Sequence, residues 1–141
     1  MSSFKIFDVA GSGLAAQSVR LNTVASNLAN ADSVSGDPAT VYKARHPVFQ
    51  AVRAALGSLA MPGSSAAVRV SGIVESNAAP TVRNDPGNPL ADDQGNVYAP
   101  NVNVIEEMTD MISASRAYQD NVEVMNTAKE LMLATLKLGN R

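Results

Sequence analysis

Residues suited to helix packing recur every seven positions near both ends of this 141-residue chain. Rows spaced alternately by three and four residues form the seam of a coiled coil, because 3.5 residues per turn keep one stripe facing a partner helix. The pattern predicts a long helix at each end and predicts that the two helices pair. The expected helix-pairing seam consists of Phe7, Leu14, Leu21, Val24 and Leu28 in the first helix and Met108, Met111, Tyr118, Val122, Met125 and Met132 in the second.

The segment between the two helical regions has a different composition. It contains all seven prolines and reads as short strands over about 41–52, 67–76, 80–83 and 96–98, with Pro47 marking an edge strand or a bulge. The Ala/Gly/Ser-rich stretch 54–67 is predicted to be a flexible loop. The expected fold class is α+β, with the terminal helices paired as an antiparallel coiled coil around a small β-rich middle. The expected division is 1–36, 37–100 and 101–141, with the helices of the first and last parts paired.

The C-terminal helix has the clearest boundaries. Asn103 is a candidate N-cap and Glu106 lies three positions later, while Lys137 is in the last turn and Gly139 follows it. These signals predict a helix over 104–138, roughly 50 Å long. The N-terminal helix, over about 3–31, contains Gly11 and Gly13, which each cost roughly 0.5–1 kcal/mol relative to Ala.

The C-terminal helix also has more apolar surface than one partner helix covers, because a two-helix seam buries only a narrow stripe. The excess is expected to face other copies, other proteins or a membrane surface. Contact with the chain's own middle segment is the alternative. The candidate subunit interface is the row Ala117, Val124, Leu131 and Leu138.

The composition argues against several classes of function. The chain has no cysteine and one histidine, so a metal site or a thiolate nucleophile is not expected, and no motif places a base beside a serine. A formal net charge of −2 without basic runs does not suit nucleic-acid binding. No stretch approaches the roughly 18 apolar residues of a membrane span, and the start lacks the pattern of a cleavable signal. We therefore expect neither an enzyme nor a cofactor.

The run over 21–33 resembles the axial-protein signature of the bacterial flagellum, approximately N-x-x-S-N-[IL]-A-N-A-[ND]-[ST]. A second stretch, over 86–104, looks like the corresponding region of the proximal-rod members of this family. The resemblance covers nearly the whole chain apart from about 51–68. The residues that carry the first motif are Asn22, Ser26, Asn27, Ala29 and Asn30.

The resemblance implies a structural subunit that polymerises into a helical tube, which transmits motor torque and encloses the export channel. It places the protein in the basal body, as part of the rod in the periplasm, exported by the flagellar type III apparatus without a cleaved signal. The implied partners are further copies of the chain, the proximal rod proteins FlgB and FlgF, the base protein FliE and the distal rod protein FlgG.

Two alternatives remain open at this stage. The chain could be another flagellar axial subunit of the rod or hook. Outside that class, it could be a helical-hairpin adaptor or export chaperone, although such a protein has no need of the long Pro/Gly-rich insert. The amides on the helices could fix the register of the pairing, as buried amides do in coiled coils, or could simply face water.

Overall fold

Two long helices flank the middle of the chain in the computed structural model, which describes residues 2–53 and 66–139. Helix α1 spans Ser2–Asn30 and helix α2 spans Val104–Gly139. At 1.5 Å per residue they are about 44 Å and 54 Å long. The segment between them forms two small antiparallel sheets. The predicted α+β class is confirmed.

Side-chain hydrogen bonds define the ends of both helices. At the end of α1, the Asn30 Nδ2 donates to the Ser26 carbonyl at 2.8 Å, and the Asn30 carbonyl accepts from the Ser33 hydroxyl at 2.7 Å. At the start of α2, the Ile105 N–H donates to Asn103 Oδ1 at 3.1 Å, so Asn103 is the N-cap, as predicted.

The first sheet pairs β1, Arg45–Arg53, with β2, Ala66–Glu75. The register runs from Arg45 opposite Glu75 to Arg53 opposite Ala66, with a shift between Val48 and Phe49. The predicted loop 54–67 lies outside the described residues except for its last two positions, which belong to β2. Both strands are edge strands in this two-stranded sheet, which accommodates Pro47.

Strand β1 begins four residues later than the sequence predicted, because side chains from both helical regions bind the preceding backbone. The Ala44 N–H donates to Asn101 Oδ1 at 2.7 Å, and the Arg45 N–H donates to Asn27 Oδ1 at 2.9 Å. Val41 and Ala44 are buried there. The bulge lies just beyond Pro47, where Ser71 donates its hydroxyl to the Val48 carbonyl at 3.1 Å.

The second sheet pairs β3, Thr81–Asn84, with β4, Asn96–Ala99. The turn before β4 needs Gly95, which has a φ of 77°, a conformation that side-chain-bearing residues rarely adopt. Ser35 extends this sheet by exchanging two backbone hydrogen bonds with Tyr98, at 2.9 and 2.8 Å. The segment that follows α1 is thereby attached to the segment that precedes α2.

The core is thin and made of small side chains. Five of the eight buried apolar residues in the described part of the chain are alanine, which lets helix backbones approach closely but excludes little water. Many larger apolar side chains on the helices and on the first sheet are therefore exposed. The eight buried apolar residues are Ala10, Ala16, Val24, Val41, Ala44, Val97, Ala114 and Ala128.

Candidate subunit interface and helix junction

Helices α1 and α2 pack antiparallel in a fixed register. Near the β end of the pair, Asn27 Nδ2 donates to Glu107 Oε1 at 2.9 Å. At the other end, a Cβ built on Gly13 would lie 2.9 Å from Asn121 Oδ1, so the α1 backbone touches this side chain. Gly13 precedes Asn27 by 14 residues and Asn121 follows Glu107 by 14 residues, so the register holds over roughly 21 Å.

Asn27 joins both helices to the first sheet and is 0% exposed. Its Nδ2 donates to the Arg45 carbonyl and to Glu107 Oε1, each at 2.9 Å. Its Oδ1 accepts from the Arg45 N–H and the Tyr42 hydroxyl, each also at 2.9 Å. All four hydrogen-bonding positions of the amide are occupied, which is the arrangement that makes a buried polar residue tolerable and its position specific.

Glu107 is the buried carboxyl group of this junction. Burial raises the pKa of Glu107 above its ordinary value, while the hydrogen bond from Asn27 and the nearby His46 partly offset this rise. Asp110 and Glu106 raise the pKa slightly further because they are like charges. The junction therefore favours the neutral form of Glu107 more than water does.

A peripheral ion pair accompanies the junction along α2. Arg20 Nη2 lies 2.9 Å from Asp110 Oδ1, and both side chains are partly exposed. Pairs of this kind contribute about 0–1 kcal/mol. The ion pair therefore adds less to the pairing of the helices than the buried amide does.

The seam residues expected in α1 lie on its covered side. Val24 is buried, and Phe7, Leu14, Leu21 and Leu28 are part-buried. The sequence did not identify the neighbouring row Ile6, Gly13, Arg20 and Asn27, three of whose members contact α2 residues. The seven-residue spacing of this row is visible in the sequence. A pattern based on large apolar residues does not select it, because three of its members are Gly, Arg and Asn.

The expected seam residues of α2 divide into two groups. Met111, Met125 and Met132 are part-buried. Tyr118, Val122 and Met108 are exposed, Met108 to 54%. The buried positions of α2 are instead Glu107, Ala114 and Ala128. Together with Asn121, these three residues form a row with a spacing of seven. Each member of this row comes one position before a member of the expected row that contains Met108 and Val122.

The size of the side chains explains this difference. Ala114 and Ala128 allow α1 to approach α2 closely, and Gly13 does the same from the opposite helix. Glu107 enters the contact because Asn27 provides it with a hydrogen bond. A search for large apolar residues does not find this row, because its members are one carboxyl residue, one amide residue and two alanines.

The motif residues lie on two faces of α1. Asn27 is fully buried, and Ser26 and Asn30 are part-buried and close the end of the helix through the hydrogen bond between them. Asn22 and Ala29 are exposed. Within one chain, the motif therefore builds the helix junction with one face and leaves the other face free for other contacts.

The row proposed as a subunit interface is largely uncovered. Val124, Leu131 and Leu138 are 48%, 64% and 74% exposed, while Ala117 is part-buried. Val124 and Leu131 line an open groove of about 420 Å³ together with Ile6 of α1 and Ala128. Ile105 and Ile112, which the sequence analysis did not single out, are exposed nearer the start of α2.

The acidic and histidine side chains of the described residues do not gather into a candidate metal site. No group of three or more His, Asp or Glu side chains that could hold a metal ion occurs among them.

Asp92 stabilises a turn, because its Oδ1 accepts hydrogen bonds from the Gln94 and Asn96 N–H groups at 2.9 and 2.8 Å. These backbone hydrogen bonds, chiefly that of Asn96, lower the pKa of Asp92. None of the described helices is both long and apolar enough to cross a membrane.

Comparisons with known proteins agree with this architecture. The family profile "Flagella basal body rod protein" matches residues 7–36, and "Flagellar basal body rod FlgEFG protein C-terminal" matches 93–138. The chain is 52% identical over 139 residues to the flagellar basal-body rod protein FlgC of Salmonella typhimurium, with 99% of each chain covered. It is 53% identical over 140 residues to FlgC of Yersinia enterocolitica, with 99% of each covered. It is 39% identical over 137 residues to FlgC of Aquifex aeolicus, with 97% of each covered.

Two paired terminal helices with exposed apolar rows, together with these matches, define a class: the structural subunits of the flagellar rod. Within that class, the chain belongs to the FlgC family of flagellar basal-body rod proteins. Its place is the flagellar basal body.

Proposed function

We propose that the chain polymerises in the proximal rod, as part of a helical tube that transmits motor torque, encloses the export channel and performs no catalysis. It assembles there with further copies of itself and with other rod proteins, in the periplasm, after export by the flagellar type III apparatus. In this proposal the terminal helices, residues 1–36 and 101–141, form the inner-core domain, and residues 37–100 lie outside it.

The observation that carries this proposal is the uncovered apolar row of α2. Val124 and Leu131 lie outside the helix pairing and are 48% and 64% exposed. An apolar side chain gains about 25 cal/mol for each Å² that leaves water, so a row of this kind favours a protein partner. A contact repeated between identical subunits uses such a row many times along a tube.

The test is a carboxylate placed in this row. Leu131→Asp leaves the helix pairing within one chain intact, because Leu131 is mostly exposed. In the assembled rod it buries an unpaired charge, which costs several kcal/mol at each contact. In cells where this variant is the sole copy, we expect normal expression and export but incomplete rods, no filaments and no swimming.

Gln119→Glu is the matched control, since it adds the same charge at an exposed position of the same helix outside the row. Electron microscopy of isolated basal bodies and a soft-agar motility assay compare the two variants. Normal rods with Leu131→Asp would show that this face is solvated in the assembly, and the proposed interface would then be wrong.

A further inference from the structure

Helix α2 continues beyond the described part of α1. The register set by the Asn27–Glu107 and Gly13–Asn121 contacts places Ser2 opposite Met132. Residues 133–139, which we term the overhang, therefore extend roughly 10 Å past the first described residue of α1. The overhang has no partner helix among the described residues.

The overhang is apolar and carries a single positive charge. Leu133, Leu136 and Leu138 are all exposed, and Lys137 is the one charged residue in this segment. The overhang is the C-terminal continuation of α2, and its three exposed leucines gain free energy when a partner removes them from water. The chemistry of the overhang therefore suits insertion into an apolar site with an acidic rim.

The groove beside the start of α1 has that character. Its apolar wall is formed by Ile6, Val124, Ala128 and Leu131, and Thr127 completes it. Asp120 and Glu123 also line it, both are exposed, and no cation is among the residues that line it. The groove and the overhang are thus complementary both in apolar surface and in charge.

We propose that the overhang of one copy docks in the groove of a second copy of this chain, with the Lys137 side chain reaching toward Glu123. This inference rests on the proposed function and adds to it which surfaces meet. In a tube whose subunits all point in the same direction the contact is heterologous, and heterologous contacts that do not close into a ring generate open helical assemblies.

The position of the two surfaces constrains the arrangement of the neighbours. Groove and overhang lie at the same end of the helix pair, about ten residues apart along α2, between the neighbourhoods of Thr127 and Lys137. One copy therefore reaches the next when both point in the same direction and are offset by roughly 15 Å along the helix axis. Two parallel copies without this offset cannot form the contact.

Disulfide cross-linking tests the contact directly, because the chain contains no cysteine of its own. Thr127→Cys in the groove and Thr135→Cys in the overhang are near-isosteric changes, made in two differently tagged versions expressed together. We expect a mixed disulfide dimer of the two tags in isolated basal bodies after oxidation. Thr109→Cys paired with Thr135→Cys is the control and yields none, because Thr109 lies 18 residues from the groove position.

A charge exchange tests the same contact without cysteine. Lys137→Glu and Glu123→Lys are each expected to reduce the fraction of flagellated cells, and the double variant is expected to restore it. The docking proposal is overturned if the double variant is no better than the worse single variant. It is also overturned if basal bodies that contain the cysteine variants form no Thr127–Thr135 dimer, or link either position to a different rod protein.

These outcomes separate the two proposals. If the unmodified chain is present in isolated rods but the cross-link and the charge rescue both fail, the docking contact is wrong and the rod function stands. If the unmodified chain is absent from isolated rods, the proposed function itself is wrong.

Discussion

Replacing Asn27 by alanine should disrupt the junction that holds both helices to the first sheet. The substitution removes two N–H donors and the one oxygen that accepts two hydrogen bonds, and it leaves Tyr42, Glu107 and both backbone groups of Arg45 without their partners. Asn27 is 0% exposed, so water replaces these hydrogen bonds only by entering the cavity that the amide vacates.

The expected loss can be worked from these contacts. Three of the hydrogen bonds are part-buried, and we assign about 1 kcal/mol to each because their partners can be partly rehydrated. The bond to Glu107 is buried, and an unsatisfied buried group costs about 1–3 kcal/mol. A better helix propensity of Ala and a water in the cavity offset part of this. The net destabilisation is about 3–5 kcal/mol, compared with typical total stabilities of about 5–15 kcal/mol.

Urea unfolding of the purified chain, followed by circular dichroism, measures this difference through the midpoint and the slope of the transition. Asn22→Ala is the matched control, because it is the same substitution on an exposed position of α1 and should change stability by less than about 0.5 kcal/mol. A loss below about 1 kcal/mol for Asn27→Ala would refute the idea that this amide determines the junction.

Three further predictions concern the helices. Gly11→Ala has open space around its new Cβ and should stabilise the chain by about 0.5–1 kcal/mol. Gly13→Ala forces the Asn121 side chain to move and should give no such gain. The urea midpoint of the Gly11→Ala variant should therefore be the higher of the two. Burial raises the pKa of Glu107, so the stability it contributes is fully present below its ordinary pKa of about 4.5 and is lost as the pH rises through the raised value. Glu107→Gln should flatten this fall and be more stable at pH 7, and unfolding curves between pH 4 and 8 would contradict the reasoning if both proteins gave the same slope. Asn103→Ala removes the N-cap of α2 and should cost about 1 kcal/mol in thermal or urea unfolding, with no loss indicating that water replaces the cap.

The sequence by itself determined the helices, because their signals are local. Asn103 supplies the cap in the chain neighbourhood of the helix it begins, and the apolar repeat around Met125 continues without interruption through α2. The small β-rich middle was also evident from its prolines and its turn residues. Sequence similarity over nearly the whole chain then identified the family.

The tertiary structure alone decided which residues face each other. Periodicity identified the row that contains Met111 and Met125, but it assigned the companion row to Met108 and Val122, which are exposed. The structure buries Glu107 and Ala114 instead. Hydrophobicity favours large apolar residues in a seam, whereas the close approach of two backbones favours small ones and any polar group whose partner lies opposite.

The role of Asn27 shows why the sequence could not supply this information. Its four hydrogen-bonding partners are distributed over Tyr42, Arg45 and Glu107, up to 80 positions away in the chain. A sequence motif can mark the amide as noteworthy, but it does not contain the distances that make it a junction. Burial and partner satisfaction are properties of the folded chain, because they depend on which distant segments meet around a residue.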